Sequence, residues 1–119
     1  QKYPWIYEKE LPDLYQIAKK EGLTIIQAHP FRPVCFPADP ECLHGIEIFN
    51  GNPRHDSHND LARALGEQAG LPGTAGSHFH QVQHLASCCV GFEKLPGDGQ
   101  ELAEAIRQGR FTREIFRGI

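Results

Sequence analysis

The alternation of helical and β-strand patterns along the chain is the strongest constraint on its fold. Apolar residues recur at helical spacing in three segments, and a glycine follows each of them closely. The predicted helices cover about Leu11–Glu21, Asn59–Ala69 and Gly99–Gln108. The predicted strands are Leu23–His29, Gly45–Asn50, Gly73–His80 and Ser87–Leu95. Because strands alternate with helices, the sequence predicts an α/β domain of mostly parallel strands with flanking helices.

Two of the predicted strands end on histidine. His29 is followed by Pro30, which has no N–H to offer a central strand, so His29 is expected at a strand's carboxyl end. His78 and His80 close another strand, where alternate residues face the same way with Cα atoms about 6–7 Å apart. The carboxyl ends of parallel strands meet at one edge of a sheet, so the three imidazoles are expected to converge there.

Convergent imidazoles predict a metal site. Imidazole nitrogen binds Zn, Mn and Fe ions, and two or three such ligands suffice when water or carboxylates complete the shell. The predicted ligands are His29, His78 and His80. The alternative is that these are capping or surface histidines with no ligand.

Three polar residues are expected near this site, each with two possible roles. Glu47 lies mid-strand on the face opposite Ile46 and Ile48, where it would either orient an imidazole or face solvent. Asn50 ends the same strand and would contact substrate or form a turn. Arg32 follows His29 by three residues and would bind a phosphate oxygen or remain a solvated loop residue.

Composition narrows the function classes. The chain has 119 residues, which predicts one domain covering residues 1–119. A net charge of −3 gives no general attraction to nucleic acid or to acidic membranes, and no apolar run approaches the length of a membrane span. The four cysteines show no zinc-knuckle spacing, and we interpret them as reduced thiols of a cytoplasmic protein.

Several motifs together resemble one known family. These are Ala28-His29-Pro30-Phe31-Arg32, Gly45-Ile46-Glu47-Ile48-Phe49-Asn50-Gly51 and Thr74-Ala75-Gly76-Ser77-His78-Phe79-His80. They resemble the C-terminal half of a PHP domain, the polymerase and histidinol phosphatase family of metal-dependent phosphoesterases. The resemblance implies a partial (β/α) barrel of the PHP type, bound Zn, Mn or Fe ions, and ligand roles for His29 and His80.

The chain departs from the family pattern in two ways. The family's fourth motif is usually Asp-x-His, so His78 stands where an aspartate is expected. An imidazole in place of a carboxylate removes one negative charge and favours Zn over harder ions such as Mn. The family's first two motifs have no counterpart here, so we expect this chain to be a fragment of a longer one.

The resemblance implies metal-dependent hydrolysis of phosphate esters by the intact parent, with this chain supplying part of the metal site. The substrate would be a phosphorylated small molecule or a short oligonucleotide. The alternative is a non-catalytic metal-binding or scaffold domain, and an amidohydrolase-like barrel is a more distant one. The isolated fragment is expected to turn over little, and to self-associate as a homo-oligomer through exposed sheet edges.

Overall fold

The computed structural model describes residues 9–116, which form three α-helices and five β-strands. In chain order they are α1 (Leu11–Glu21), β1 (Ile26–Gln27), β2 (Gly45–Asn50), α2 (Asn59–Ala69), β3 (Gly73–Gly76), β4 (Cys88–Gly91), α3 (Gly99–Arg107) and β5 (Thr112–Ile115). The predicted α/β class is confirmed. Within these residues no helix has the length and apolar character needed to cross a membrane.

The main sheet has three parallel strands in the order β1-β2-β3, as the alternation of helices and strands predicted. Ile46 of β2 pairs with Gly73 of β3, and the register shifts between Glu47 and Phe49. A separate antiparallel pair joins β4 to β5, a strand that the sequence analysis did not predict. The two sheets do not close into a barrel within the described part of the chain.

Three strands are shorter than predicted. β1 covers two residues and ends before His29, β4 ends at Gly91, and β3 ends at Gly76. β3 stops there because β2 ends at Asn50, and the last link between them is the N–H of Gly51 donating to the carbonyl of Gly76 at 2.9 Å. His78 and His80 therefore lie on a loop after β3, and the prediction that a strand carries them was wrong.

The core forms where α2 packs on β2. Ile46 is fully buried and Ile48 nearly so, and α2 buries Ala62 and Gly66 against this sheet. A Cβ at Gly66 would lie only 3.1 Å from Cγ2 of Ile46, so the helix approaches too closely for a larger residue. The larger Leu61 of the same helix is 46% exposed.

Gly73 is a second point of close approach. A Cβ at this position would lie 2.7 Å from Cδ1 of Ile48. Gly73→Ala is therefore expected to lower the free energy of unfolding by about 1–3 kcal/mol through overpacking, measured by urea denaturation. Gly99→Ala is the matched control, because its Cβ would meet no atom within 4 Å and the residue begins α3. Equal stability of the two variants would contradict this packing.

His44 lies just before the amino end of β2, and it fixes that end of the sheet. Its Nδ1 accepts a hydrogen bond from the backbone N–H of Ile25 at 3.0 Å, and its ring stacks on Tyr15 of α1. Burial, and then the positive charge of Arg107, lower the pKa of His44 below its ordinary value of 6.5. A protonated Nδ1 could not accept from Ile25, so the neutral ring is the form that the fold stabilises.

The free energy of unfolding is accordingly expected to decrease as the pH falls below about 6.5. In that range the unfolded chain takes up a proton at His44 while the folded chain resists it, so protonation favours unfolding. Above it the contribution is fully present. Urea denaturation in steps from about pH 7.5 to pH 5 spans this titration. His44→Asn, which offers an acceptor but does not titrate, should show a shallower decrease, and an identical decrease would contradict the assignment.

Candidate functional site

Three histidine side chains meet beyond the carboxyl ends of β1 and β3. The ring centroids of His29 and His78 lie 5.2 Å apart, and those of His78 and His80 lie 5.1 Å apart. We call His29, His78 and His80 the histidine cluster. Its first two members are partly buried and His80 is exposed, so the cluster opens to solvent on one side.

The backbone is strained at two members of the cluster. His29 has φ of 26° and His78 has φ of 46°, in the region that residues with a side chain rarely adopt. Such conformations persist where the surrounding structure enforces them, and they concentrate at functional sites. Here the two turns aim both rings into the same space, which an extended strand would not do.

Glu47 supports the cluster from β2. Its Oε2 accepts a hydrogen bond from the backbone N–H of His29 at 2.8 Å and another from Nδ2 of Asn50 at 2.8 Å. A partly buried carboxylate oxygen with two donors is well satisfied and fixes the chain where it turns away from β1. Glu47 thus holds His29 through its main chain, a contact that differs from both predicted roles, which were to orient an imidazole or to face solvent.

Asn50 connects Glu47 to the cluster. Its Nδ2 lies 3.0 Å from Nδ1 of His78, and its Oδ1 accepts from the N–H of Asn52 at 3.1 Å and from the hydroxyl of Ser57 at 3.4 Å. Only 5% of Asn50 is exposed. Its amide is therefore engaged inside the protein, which leaves it a supporting role beneath the cluster.

Positive groups surround the cluster. Burial first, and then the charges of His29, His80 and Arg32, lower the pKa of His78, while Glu47 opposes them. The pKa of His55 is lowered too, by burial and then chiefly by Arg32 and Arg54. These directions favour neutral imidazoles, the form that binds metal ions. Arg32 is thus a positive group whose charge acts on both His78 and His55.

Two neighbours of the cluster were not among the predicted site residues. His55 is on the loop after β2, near enough to His29 and His80 for their charges to affect it. The sulfur of Cys35 lies 3.7 Å from Nδ1 of His29. Their positions in the sequence could have indicated them, because the loops that carry them follow β1 and β2 and leave the sheet at the end where the cluster forms.

The cluster fits a metal ion in ligand type and in ring spacing. Two imidazoles on one tetrahedral zinc, with Zn–N distances of about 2.0–2.1 Å, have ring centroids roughly 5 Å apart. Across residues 9–116, however, no three histidine, cysteine, aspartate or glutamate side chains are oriented to hold one ion. Coordination by the cluster would require side-chain reorientation, and imidazole donors would suit zinc best.

Comparison with known proteins gives one match. No curated protein and no solved structure matches the chain. A family model described as PHP-associated matches residues 56–111, a segment that begins just before α2 and ends just before β5. The segment includes His78 and His80, whereas His29, Glu47 and Asn50 precede it. Residues 56–111 are therefore similar to a PHP-associated region, in agreement with the resemblance to the PHP family.

Proposed function

We propose that the histidine cluster contributes to a transition-metal centre in a PHP-type phosphoesterase of which this chain is one part. The observation that carries the proposal is the convergence of three imidazole rings, spaced 5.1–5.2 Å between successive centroids, at the carboxyl ends of parallel strands. The match to a PHP-associated model supports it independently. Zinc is the metal that this donor set favours, with Mn and Fe as alternatives.

The proposed metal ligands are two of the three histidines of the cluster. His29 is held by the hydrogen bond from its N–H to Glu47. His80 is exposed, and its ring makes no hydrogen bond among the described residues that metal binding would have to break. We propose these two as the metal ligands, with the His78 ring beside them. A bound metal would supply the Lewis acidity that activates water and stabilises charge on a phosphoryl group.

Arg32 and His55 give the site its affinity for an anion. The charge of Arg32 acts on both His78 and His55, and the carboxylate of Glu47, which also acts on His78, already accepts hydrogen bonds from His29 and Asn50. A guanidinium can bind two phosphate oxygens at once. These groups support a phosphate ester as the substrate, either a phosphorylated small molecule or a short oligonucleotide.

A second candidate is a non-catalytic metal-binding or scaffold domain. It is favoured by His78, which stands where the family usually has a metal-binding aspartate, and by the need to reorient side chains before an ion could be held. His78→Asp in the intact parent distinguishes the candidates. If the parent is inactive and His78→Asp gives it phosphoesterase activity, the result supports the non-catalytic candidate.

The test of the proposed function is hydrolysis of p-nitrophenyl phosphate and bis(p-nitrophenyl) phosphate by the intact protein that contains this chain. Hydrolysis should depend on added Zn or Mn and should be abolished by His29→Asn together with His80→Asn. His84→Asn, outside the cluster, is the matched control. Hydrolysis that survives the double substitution would overturn the assignment, and a metal-loaded but inactive protein would favour the non-catalytic candidate.

A further inference from the structure

The amide of Asn50 has one possible orientation. Its Oδ1 receives the backbone N–H of Asn52, a group that can only donate, and the hydroxyl of Ser57. Its Nδ2 lies 2.8 Å from a carboxylate oxygen of Glu47, a group that accepts. If the amide oxygen and nitrogen were exchanged, an acceptor would face the acceptor of Glu47 and a donor would face the donor of Asn52. The neighbours on both sides therefore determine the orientation.

This orientation determines which nitrogen of His78 carries the proton. The second N–H of the Asn50 amide faces Nδ1 of His78 at 3.0 Å, so Nδ1 must accept. A neutral imidazole with an accepting Nδ1 carries its proton on Nε2. His78 thus offers the site an N–H from Nε2, and no lone pair on that nitrogen.

A metal-binding histidine shows the opposite pattern. Its free nitrogen usually donates to a carboxylate or a carbonyl, so that the other nitrogen presents its lone pair to the ion. An aspartate in place of Asn50 would create that pattern at His78. The asparagine reverses it, and the carboxylate of Glu47 that is nearby reaches Asn50 and not the His78 ring.

We propose that Asn50 is a positioning residue that fixes His78 as an Nε2–H donor to an anionic oxygen, so that His78 serves the site by hydrogen bonding and not as a metal ligand. This deepens the proposed function, on which it rests for the identity of the anion. The guanidinium of Arg32, whose charge acts on both His78 and His55, would be a second donor to such an oxygen.

The tautomer of His78 is the first test, and it requires no metal. Long-range ¹H–¹⁵N spectra of this chain at about pH 8, where imidazoles are neutral, assign the proton to one nitrogen. We expect Nε2 to be protonated in the wild type and Nδ1 to be protonated in Asn50→Asp. A wild-type His78 with its proton on Nδ1 would overturn the proposal, even if the variant failed to fold.

Ligand binding provides the second test, with zinc and inorganic phosphate as separate probes. His80→Asn should weaken zinc binding about tenfold or more, whereas His78→Asn should change it by less than about threefold. His78→Asn should weaken phosphate binding, and His78→Gln, whose longer side chain carries its N–H donor towards the position of Nε2, should restore part of it. Equal losses of zinc affinity in the two asparagine variants would overturn the proposal.

The two tests separate the failure of this inference from the failure of the proposed function. If the wild type binds no zinc, the metal centre is refuted, while the tautomer and the phosphate affinities still decide the role of His78. If zinc binds and His78 proves to be one of its ligands, the metal centre stands and the donor role of His78 is refuted.

Discussion

Replacing Ile46 with alanine is expected to lower the free energy of unfolding by about 3 kcal/mol. Ile46, the second residue of β2, is 0% exposed: it pairs with Gly73 of β3, and α2 approaches its side chain closely at Gly66. Removing its branched side chain forfeits the burial of three carbons and leaves a cavity that a short sheet cannot collapse around. Urea denaturation monitored by circular dichroism measures the loss directly.

Ile46→Val is the matched control. It removes one methylene from the same site and should cost about 1 kcal/mol. A chain whose core lies elsewhere would tolerate both substitutions equally. A loss below about 1 kcal/mol for Ile46→Ala would contradict the central place given to β2, because buried isoleucine-to-alanine changes cost at least twice that amount.

The second large effect is expected in metal affinity. His29→Asn and His80→Asn together should lower zinc affinity by about 100-fold or more, since the loss of even outer-shell partners costs 10–100-fold. Each substitution keeps a polar side chain of similar shape, and Glu47 still holds the backbone N–H of residue 29, so the fold should persist. Isothermal titration with zinc near pH 7.5, where the imidazoles are neutral, measures the change.

Two controls accompany this titration. His44→Asn and His84→Asn remove histidines that lie outside the cluster and should leave zinc affinity unchanged. Circular dichroism of the double variant verifies that its secondary structure is retained. Zinc affinity that stays within about threefold of the wild type in a folded double variant would show that the cluster is not the metal site.

Local patterns were sufficient to predict the helices. The bounds of α1 and α2 agree with the prediction, and α3 differs at one end by a single residue. α3 also begins with a side-chain cap, in which Asp98 accepts from the N–H of Glu101 at 2.8 Å. These signals are encoded within a few residues of each other, so the sequence alone carries them.

Features that depend on distant partners were predicted less well. β3 ends early because β2 ends at Asn50, whereas β1 leaves β2 after Gln27 and the N–H of His29 donates to the Glu47 side chain. α2 turns its small residues Ala62 and Gly66 to the sheet because the two lie so close. β5 exists by pairing with β4, and its own sequence shows no strong strand pattern. Each of these outcomes is a property of the assembled sheet and not of the local segment.

The sequence predicted that the rings of the three histidines converge, but the reason given for His78 and His80 was wrong. The parallel sheet brings the ends of β1 and β3 together, as expected. His78 and His80 meet because the loop after β3 turns with a positive φ at His78, and not because they alternate on a strand. The supporting role of Asn50 depends on four partners spread over the fold, which no spacing rule anticipates.

The most direct test of the metal centre is to locate zinc in crystals of this chain soaked with zinc. Anomalous X-ray scattering at the zinc absorption edge places the ion, and elemental analysis of the dialysed protein counts it. The account predicts about one zinc per chain, held by nitrogen atoms of His29 and His80. An ion bound away from the histidine cluster, or no retained zinc at all, would contradict the metal centre proposed for this chain.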